Sequence, residues 1–156
     1  MPRQVMRRQA SDNEYLHQDF HGALSTGLDY LEETYGEEAV REYLRQFADS
    51  YYSPLKQDLA RRGLAALAEH FSRVYEIEHA DVQIVLGDDE LVIRVPACPA
   101  VTHMRERGYK VARLFVETTR TVNEALCEGS DFMAELLEYD EETGRSVQRF
   151  SRRPGR

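Results

Sequence analysis

The chain has 156 residues, 42% of them hydrophobic and 31% charged, which is enough for one soluble domain with its own core and too polar overall for a membrane-embedded protein. No apolar run approaches the ~20 residues that cross a bilayer, and the opening Met-Pro-Arg-Gln-Val-Met-Arg-Arg has charge without the apolar stretch of a secretory leader, so a cytoplasmic location and no membrane partner are expected. The net charge of −8 hides an acidic body: arginines dominate residues 1–8 and 149–156, while the residues between hold 13 basic and 28 acidic side chains, a balance that repels a phosphate backbone and argues against nucleic acid as partner.

Residues 1–18 carry no sustained period and read as a flexible lead. Asp19 reads as the N-cap of a helix to Tyr35, whose Ala23, Leu24, Leu28, Leu31 and Tyr35 gather on one side at the helical repeat. Gly36 stops it. A second helix starts near Glu37, with acids in its first turn and a stripe of Val40, Tyr43, Leu44, Phe47 and Tyr51. Ser53-Pro54 supplies cap and first position of a third helix, Gly63 ends it, and a fourth runs from about Leu64 to Ile77.

Residues 81–103 organise the rest. Val82, Ile84 and Leu86, then Leu91, Ile93 and Val95, alternate across Gly87-Asp88-Asp89-Glu90 as a half-buried hairpin does. Cys98-Pro99 then opens a short helix that stops at Arg107-Gly108. The longest helix is expected over Tyr109 to Glu128, followed by a second hairpin of Phe132 to Tyr139 and Arg145 to Phe150. From Ser151 the tail reads as basic and disordered. The sum is a single α+β domain over residues 19–150, in which N-terminal helices pack with a four-stranded, mainly antiparallel sheet of two hairpins and one long connecting helix.

The two cysteines, Cys98 and Cys127, are too few for a disulfide scaffold. Cys98 stands at a helix start, where the dipole lowers a thiol's pKa, and is the best candidate nucleophile. His21, on the flank of the first helix's apolar face, is the candidate general base. Such a pair meets in space rather than in sequence. On the long helix, Arg113, Glu117, Arg120 and Glu124 follow the spacing of solvated ion pairs, whereas Thr119, Asn123 and Cys127 follow a half-buried flank that suits a cleft. Thr119, Asn123, Tyr51 and His103 are therefore candidate substrate contacts. His17 and His21 have a spacing of four that can serve one metal; it lacks the glutamate of a zinc-protease helix, so no cofactor is expected and this pair stays a weak alternative. No phosphate loop, serine elbow or paired-cysteine zinc spacing is present.

Laid out in this way, the sequence resembles the family of small proteins similar to L-2-amino-thiazoline-4-carboxylic acid hydrolase. The likeness lies in Phe20-His21-Gly22-Ala23-Leu24, in Gly27-Leu28-Asp29-Tyr30-Leu31 with Tyr35-Gly36-Glu37-Glu38-Ala39-Val40, in Cys98-Pro99 with Gly108-Tyr109, in Asn123-Glu124-Ala125, and in Glu138-Tyr139-Asp140 before Thr143-Gly144. The resemblance implies a helical N-terminal half, an α/β C-terminal half, and hydrolytic opening of a cyclic amidine to an N-carbamoyl amino acid. The matching positions are His21, Cys98 and Asn123. The leading expectation is thus a hydrolase acting on a C–N bond of a small cyclic or amide-like substrate. A small-molecule binding or sensor domain without chemistry, and a metal-dependent enzyme, are the alternatives, and a homo-oligomer is compatible with either.

Overall fold

A computed structural model describes residues 19–155. The expectations for residues 1–18, His17 and the lead among them, lie outside that range. The helices form where the apolar periodicity places them: α1 (Asp19–Tyr35), α2 (Glu37–Tyr51), α3 (Ser53–Arg62) and α4 (Leu64–Ile77). Gly36 and Gly63 mark two of the breaks. Ser53 is the first residue of α3 rather than its cap, with Pro54 in the first turn, where its missing N–H costs nothing.

The hairpin strands are β1 (Gln83–Leu86) and β2 (Glu90–Val95), and α5 follows as Pro99–Glu106. The second hairpin is β3 (Phe132–Tyr139) with β4 (Ser146–Arg152). The sheet has four strands in the order β1-β2-β4-β3, and every pairing is antiparallel. Pairs Leu91↔Phe150, Ile93↔Gln148 and Val95↔Ser146 fix which residues share the face turned to the helices. That face and α3–α4 bury one apolar cluster around Leu59, Leu67, Ile93, Cys127 and Phe150. A second cluster, around Leu28, Val40, Leu44, Val101, Met104 and Phe115, joins α1, α2 and α5 to residues 112–125.

Three expectations need correction. The long helix is shorter than its sequence pattern: α6 spans Glu117–Cys127, preceded by a 3-10 turn at Arg113–Val116. Buried Ser25 of α1 explains the loss, because its Oγ accepts the Ala112 N–H at 2.7 Å and donates to the Lys110 carbonyl at 3.1 Å. Those backbone groups are thereby held by a side chain from another helix instead of by a helical turn.

Glu117, expected on the surface, is buried at 1% exposure. Thr121 Oγ1 and Arg120 each donate to its carboxylate at 2.7 Å, and Arg41 of α2 approaches within 3.8 Å. Packing of α2 on α6 covers that helix face, and a buried carboxylate is tolerated because it is paired. Arg113 turns instead to Glu32 and Glu37, tying the end of α1 to the start of α2.

The basic tail is ordered through Arg153. Strand β4 continues to Arg152, whose Nε donates to Asp89 at 2.8 Å, and Arg153 donates to the carbonyls of Ser130 and Cys127. Arginines there supply the hydrogen bonds that pin the last strand to the turns beside it. Among the described residues no helix is long and apolar enough to cross a membrane.

Candidate functional site

Between the two apolar clusters lies a cavity of about 240 Å³, lined from α1 by His21, from α2 by Leu44 and Phe47, from α4 by Phe71, Tyr75 and His70, and by Glu78 just beyond α4. The start of α5 contributes Cys98 and Pro99, α6 contributes Thr119, Val122 and Asn123, and β4 contributes Gln148. Residues far apart in sequence therefore share one enclosure. His21, Cys98, Thr119 and Asn123 all line it. Tyr51 and His103 do not.

Tyr51 is 58% exposed, stacked on Phe47 at 5.2 Å, and faces a wider open groove of about 800 Å³ on the outer side of α3 and α4. Its neighbour Tyr52 takes the inward position and lines both spaces. His103 is buried with its ring edge-on to Tyr109 at 6.3 Å; five residues on from Cys98, it leaves the helix on another side. Its electrostatic influence still reaches the site, as the lesser cause of the lowered His21 pKa.

Cys98 is the N-cap of α5. Its own amide donates to the Thr143 carbonyl at 2.9 Å, and its carbonyl accepts from Thr102 at 2.9 Å. The β3–β4 turn presses directly on it: a Cβ at Gly144 would stand 2.3 Å from the Cys98 Cβ and 3.0 Å from Val101, and the Gly144 φ of +69° is one that favours glycine. The turn geometry of Asp140–Gly144 thus positions the thiol. Its pKa is raised, contrary to the helix-start expectation. Burial is the larger effect and outweighs the amides of Ala100 and Val101, which favour the thiolate.

His21 Nε2 lies 3.9 Å from Glu78 Oε1. A carboxylate so near favours the imidazolium, yet the pKa is lowered, because burial first and His103 second favour the neutral ring. His70 is driven down to about 4 by burial and then by Arg73. Tyr75 is pushed above its usual range by burial, with smaller contributions that include Cys98 and Glu78.

The opposite wall is an amide relay. Asn123 Nδ2 donates to Gln148 Oε1 at 2.8 Å, and Gln148 Nε2 donates to Ser146 Oγ at 3.1 Å and reaches Tyr75 Oη at 3.5 Å. Fixing both amides also fixes the direction of the Asn123 carbonyl oxygen, and the Tyr75 hydroxyl adds a second polar group beside the cavity. The result is a neutral thiol, a neutral imidazole next to a carboxylate, and a rigid amide edge inside an aromatic shell. That set can add a sulfur nucleophile to an electrophilic carbon with a base at hand. Among the described residues no three His, Cys, Asp or Glu side chains gather where they could hold a metal ion.

No protein-family model matches the chain, and no curated protein matches it. Gln148 was legible, since period-2 alternation in β4 puts it on the same face as Phe150, and a polar residue on a strand's buried face is a signal. Glu78, at the exit of α4, has none in the sequence.

Proposed function

We propose that the protein is a hydrolase that opens a small cyclic amidine by adding water at its amidine carbon. The observation that carries the reading is the convergence of Cys98, His21 and Asn123 on one cavity of about 240 Å³, a volume suited to a single small ring. The resemblance in sequence supports the same chemistry. In the proposed sequence His21 takes the thiol proton as Cys98 Sγ bonds to the amidine carbon. The ring bond from that carbon to its heteroatom then breaks, and the departing atom receives the proton from His21.

Water next adds to the resulting S-linked amidine, again losing a proton to His21. The bond to Cys98 breaks, the thiol recovers the proton from His21, and the remaining hydroxyl proton passes to the amidine nitrogen, which leaves a carbonyl on the product. With a 2-amino-thiazoline the ring bond that opens is C–S, and both nitrogens stay on the carbon as a urea; in an all-nitrogen ring the same step breaks C–N. Glu78 stabilises the transient imidazolium, and Asn123 holds the exocyclic nitrogen. Because the thiol is not a standing thiolate, the base is needed at the moment of attack.

The test is mass spectrometry of 2-amino-thiazoline, with and without its 4-carboxylate, after incubation with the protein and with Cys98→Ala. A gain of one water, lost in the variant, is the expected result; unchanged ring with both compounds removes the reading. The raised pKa of Cys98 favours a second reading, a binding pocket without chemistry. A ligand that raises Tm and returns unaltered is its signature.

A further inference from the structure

Period-2 alternation along β4 sets Ser146, Gln148 and Phe150 on the face turned to the helices. Gln148, only 3% exposed, stands there between two other residues that line the cavity, Asn123 and Tyr75. Its Oε1 accepts from Asn123 Nδ2 at 2.8 Å, while its Nε2 donates to Ser146 Oγ at 3.1 Å and approaches Tyr75 Oη at 3.5 Å. A side-chain amide has one accepting end and one donating end, so it divides its neighbours. Asn123 uses an N–H on Gln148 and offers its carbonyl oxygen to the cavity; Tyr75 receives an N–H and keeps its own hydrogen to donate. Burial raises the Tyr75 pKa, which holds that hydrogen in place. Turning both amides over exchanges the two roles and still presents one acceptor and one donor.

We propose that Gln148 is a positioning residue that sets Asn123 and Tyr75 as a paired acceptor and donor, and that the site therefore selects a ring carrying an uncharged N–H beside a lone pair: a neutral cyclic amidine, a cyclic urea or a lactam. This rests on the cyclic-amidine reading for the place of binding and deepens it. Such a ring edge satisfies both groups at once. A ring alkylated on nitrogen leaves one of them buried without its partner, and an unmade bond in a closed site costs more than a made one contributes.

Ligand-observed NMR titration tests it with the cyclic urea 2-imidazolidinone and its N,N′-dimethyl derivative, on the protein and on Gln148→Met and Tyr75→Phe, with Tm reporting whether each variant is folded. The expected result is that the ring with N–H groups binds at least about tenfold more tightly than the methylated one. Gln148→Met, close in size but without the amide, should bring the two rings within about twofold of each other, and Tyr75→Phe should weaken 2-imidazolidinone at least about threefold. A substitution that only loosened the fold would weaken both rings alike and leave their ratio standing. Equal binding of the two rings by the unaltered protein overturns the proposal, as does failure of both to bind or a ratio that survives in folded Gln148→Met. Where Gln148→Met does not fold, Tyr75→Phe decides, and unchanged binding of 2-imidazolidinone by it overturns the proposal. Neither probe is an amidine, so binding is read apart from turnover. Selectivity for N–H without ring opening of 2-amino-thiazoline removes the hydrolase reading alone; ring opening without that selectivity removes this inference alone.

Discussion

The two cysteines occupy opposite ends of helices and opposite kinds of space. Cys98 begins α5 and faces the cavity; Cys127 ends α6 and is fully buried in the apolar cluster under the sheet. Burial raises both thiols, but only Cys98 has helix-start amides pulling the other way, while Cys127 is pushed up to about 12. At the C-terminal end of a helix the dipole also disfavours a thiolate. Composition makes the two residues equivalent; placement separates them, Cys98 on the wall of a cavity that His21 also lines and Cys127 in the core.

The sharpest way to break this contrast is turnover. Cys98→Ala should lower ring opening by at least about a thousandfold, as removal of a nucleophile does, while Cys127→Ala should leave kcat within about twofold and cost about 1 kcal/mol of stability. Steady-state kinetics beside a denaturant curve separates the two. Comparable kcat losses in both would mean that Cys98 acts through packing alone.

A stability experiment tests how the thiol is held. Gly144→Ala would force a Cβ to 2.3 Å from Cys98 at φ +69°, adding overpacking to backbone strain, and should cost about 3 kcal/mol. Gly129 has a similar φ of +76° with no atom within 4 Å of an added Cβ, so Gly129→Ala should show only the backbone part, about 1 kcal/mol. Equal losses would mean that the turn does not bear on Cys98. Alkylation gives a smaller but direct comparison: iodoacetamide should modify Cys98 at least about tenfold faster than Cys127, read by peptide mass spectrometry, since the latter reacts only through opening of the core.

Only half of this contrast is legible in the sequence: helical spacing groups Cys127 with Thr119 and Asn123 on a cleft flank, whereas it lies in the core under the sheet. Cys98-Pro99 read correctly as a helix start, and periodicity gave the helices and both hairpins, because each element buries a regular stripe of its own residues. What failed depended on partners from elsewhere in the chain. The residues at 109–112 keep a helical pattern, but Ser25 from α1 claims the Ala112 amide and Lys110 carbonyl. Glu117 has surface spacing, yet α2 covers it. The thiol's pKa followed the local helix rule only in part, because the degree of burial is set by Gly144 and the cavity wall. Tyr51 and Tyr52 are adjacent and chemically alike, and only the helix break at Tyr52 decides which one turns inward.

The smallest expected effect is in pH dependence, and its sign follows from the cavity's imidazoles. Burial, with Arg73 as the lesser cause, drives His70 from the ordinary 6.5 down to about 4 in the fold, and His21 is lowered as well. Between those limits the unfolded chain binds more protons than the folded one, so stability rises with pH through this window and is lost as pH falls from about 7 toward 4. Asp58, held down to about 2 by Arg62 and Arg61, gives up its contribution only below the ordinary carboxylate range, so the two processes separate. His70→Gln should flatten the slope of Tm against pH between about 7 and 4 whatever it does to Tm itself. A wild-type slope unchanged by that substitution would place the burden on His21. The activity profile offers a check, because a lowered imidazole and a raised thiol widen the plateau of kcat/KM at both ends: its acid limb should lie below the 6.5 of an ordinary histidine and its alkaline limb above the 9.0 of an ordinary thiol. A narrow optimum between those values would show that Cys98 reacts as a preformed thiolate, and the helix start would then outweigh burial after all.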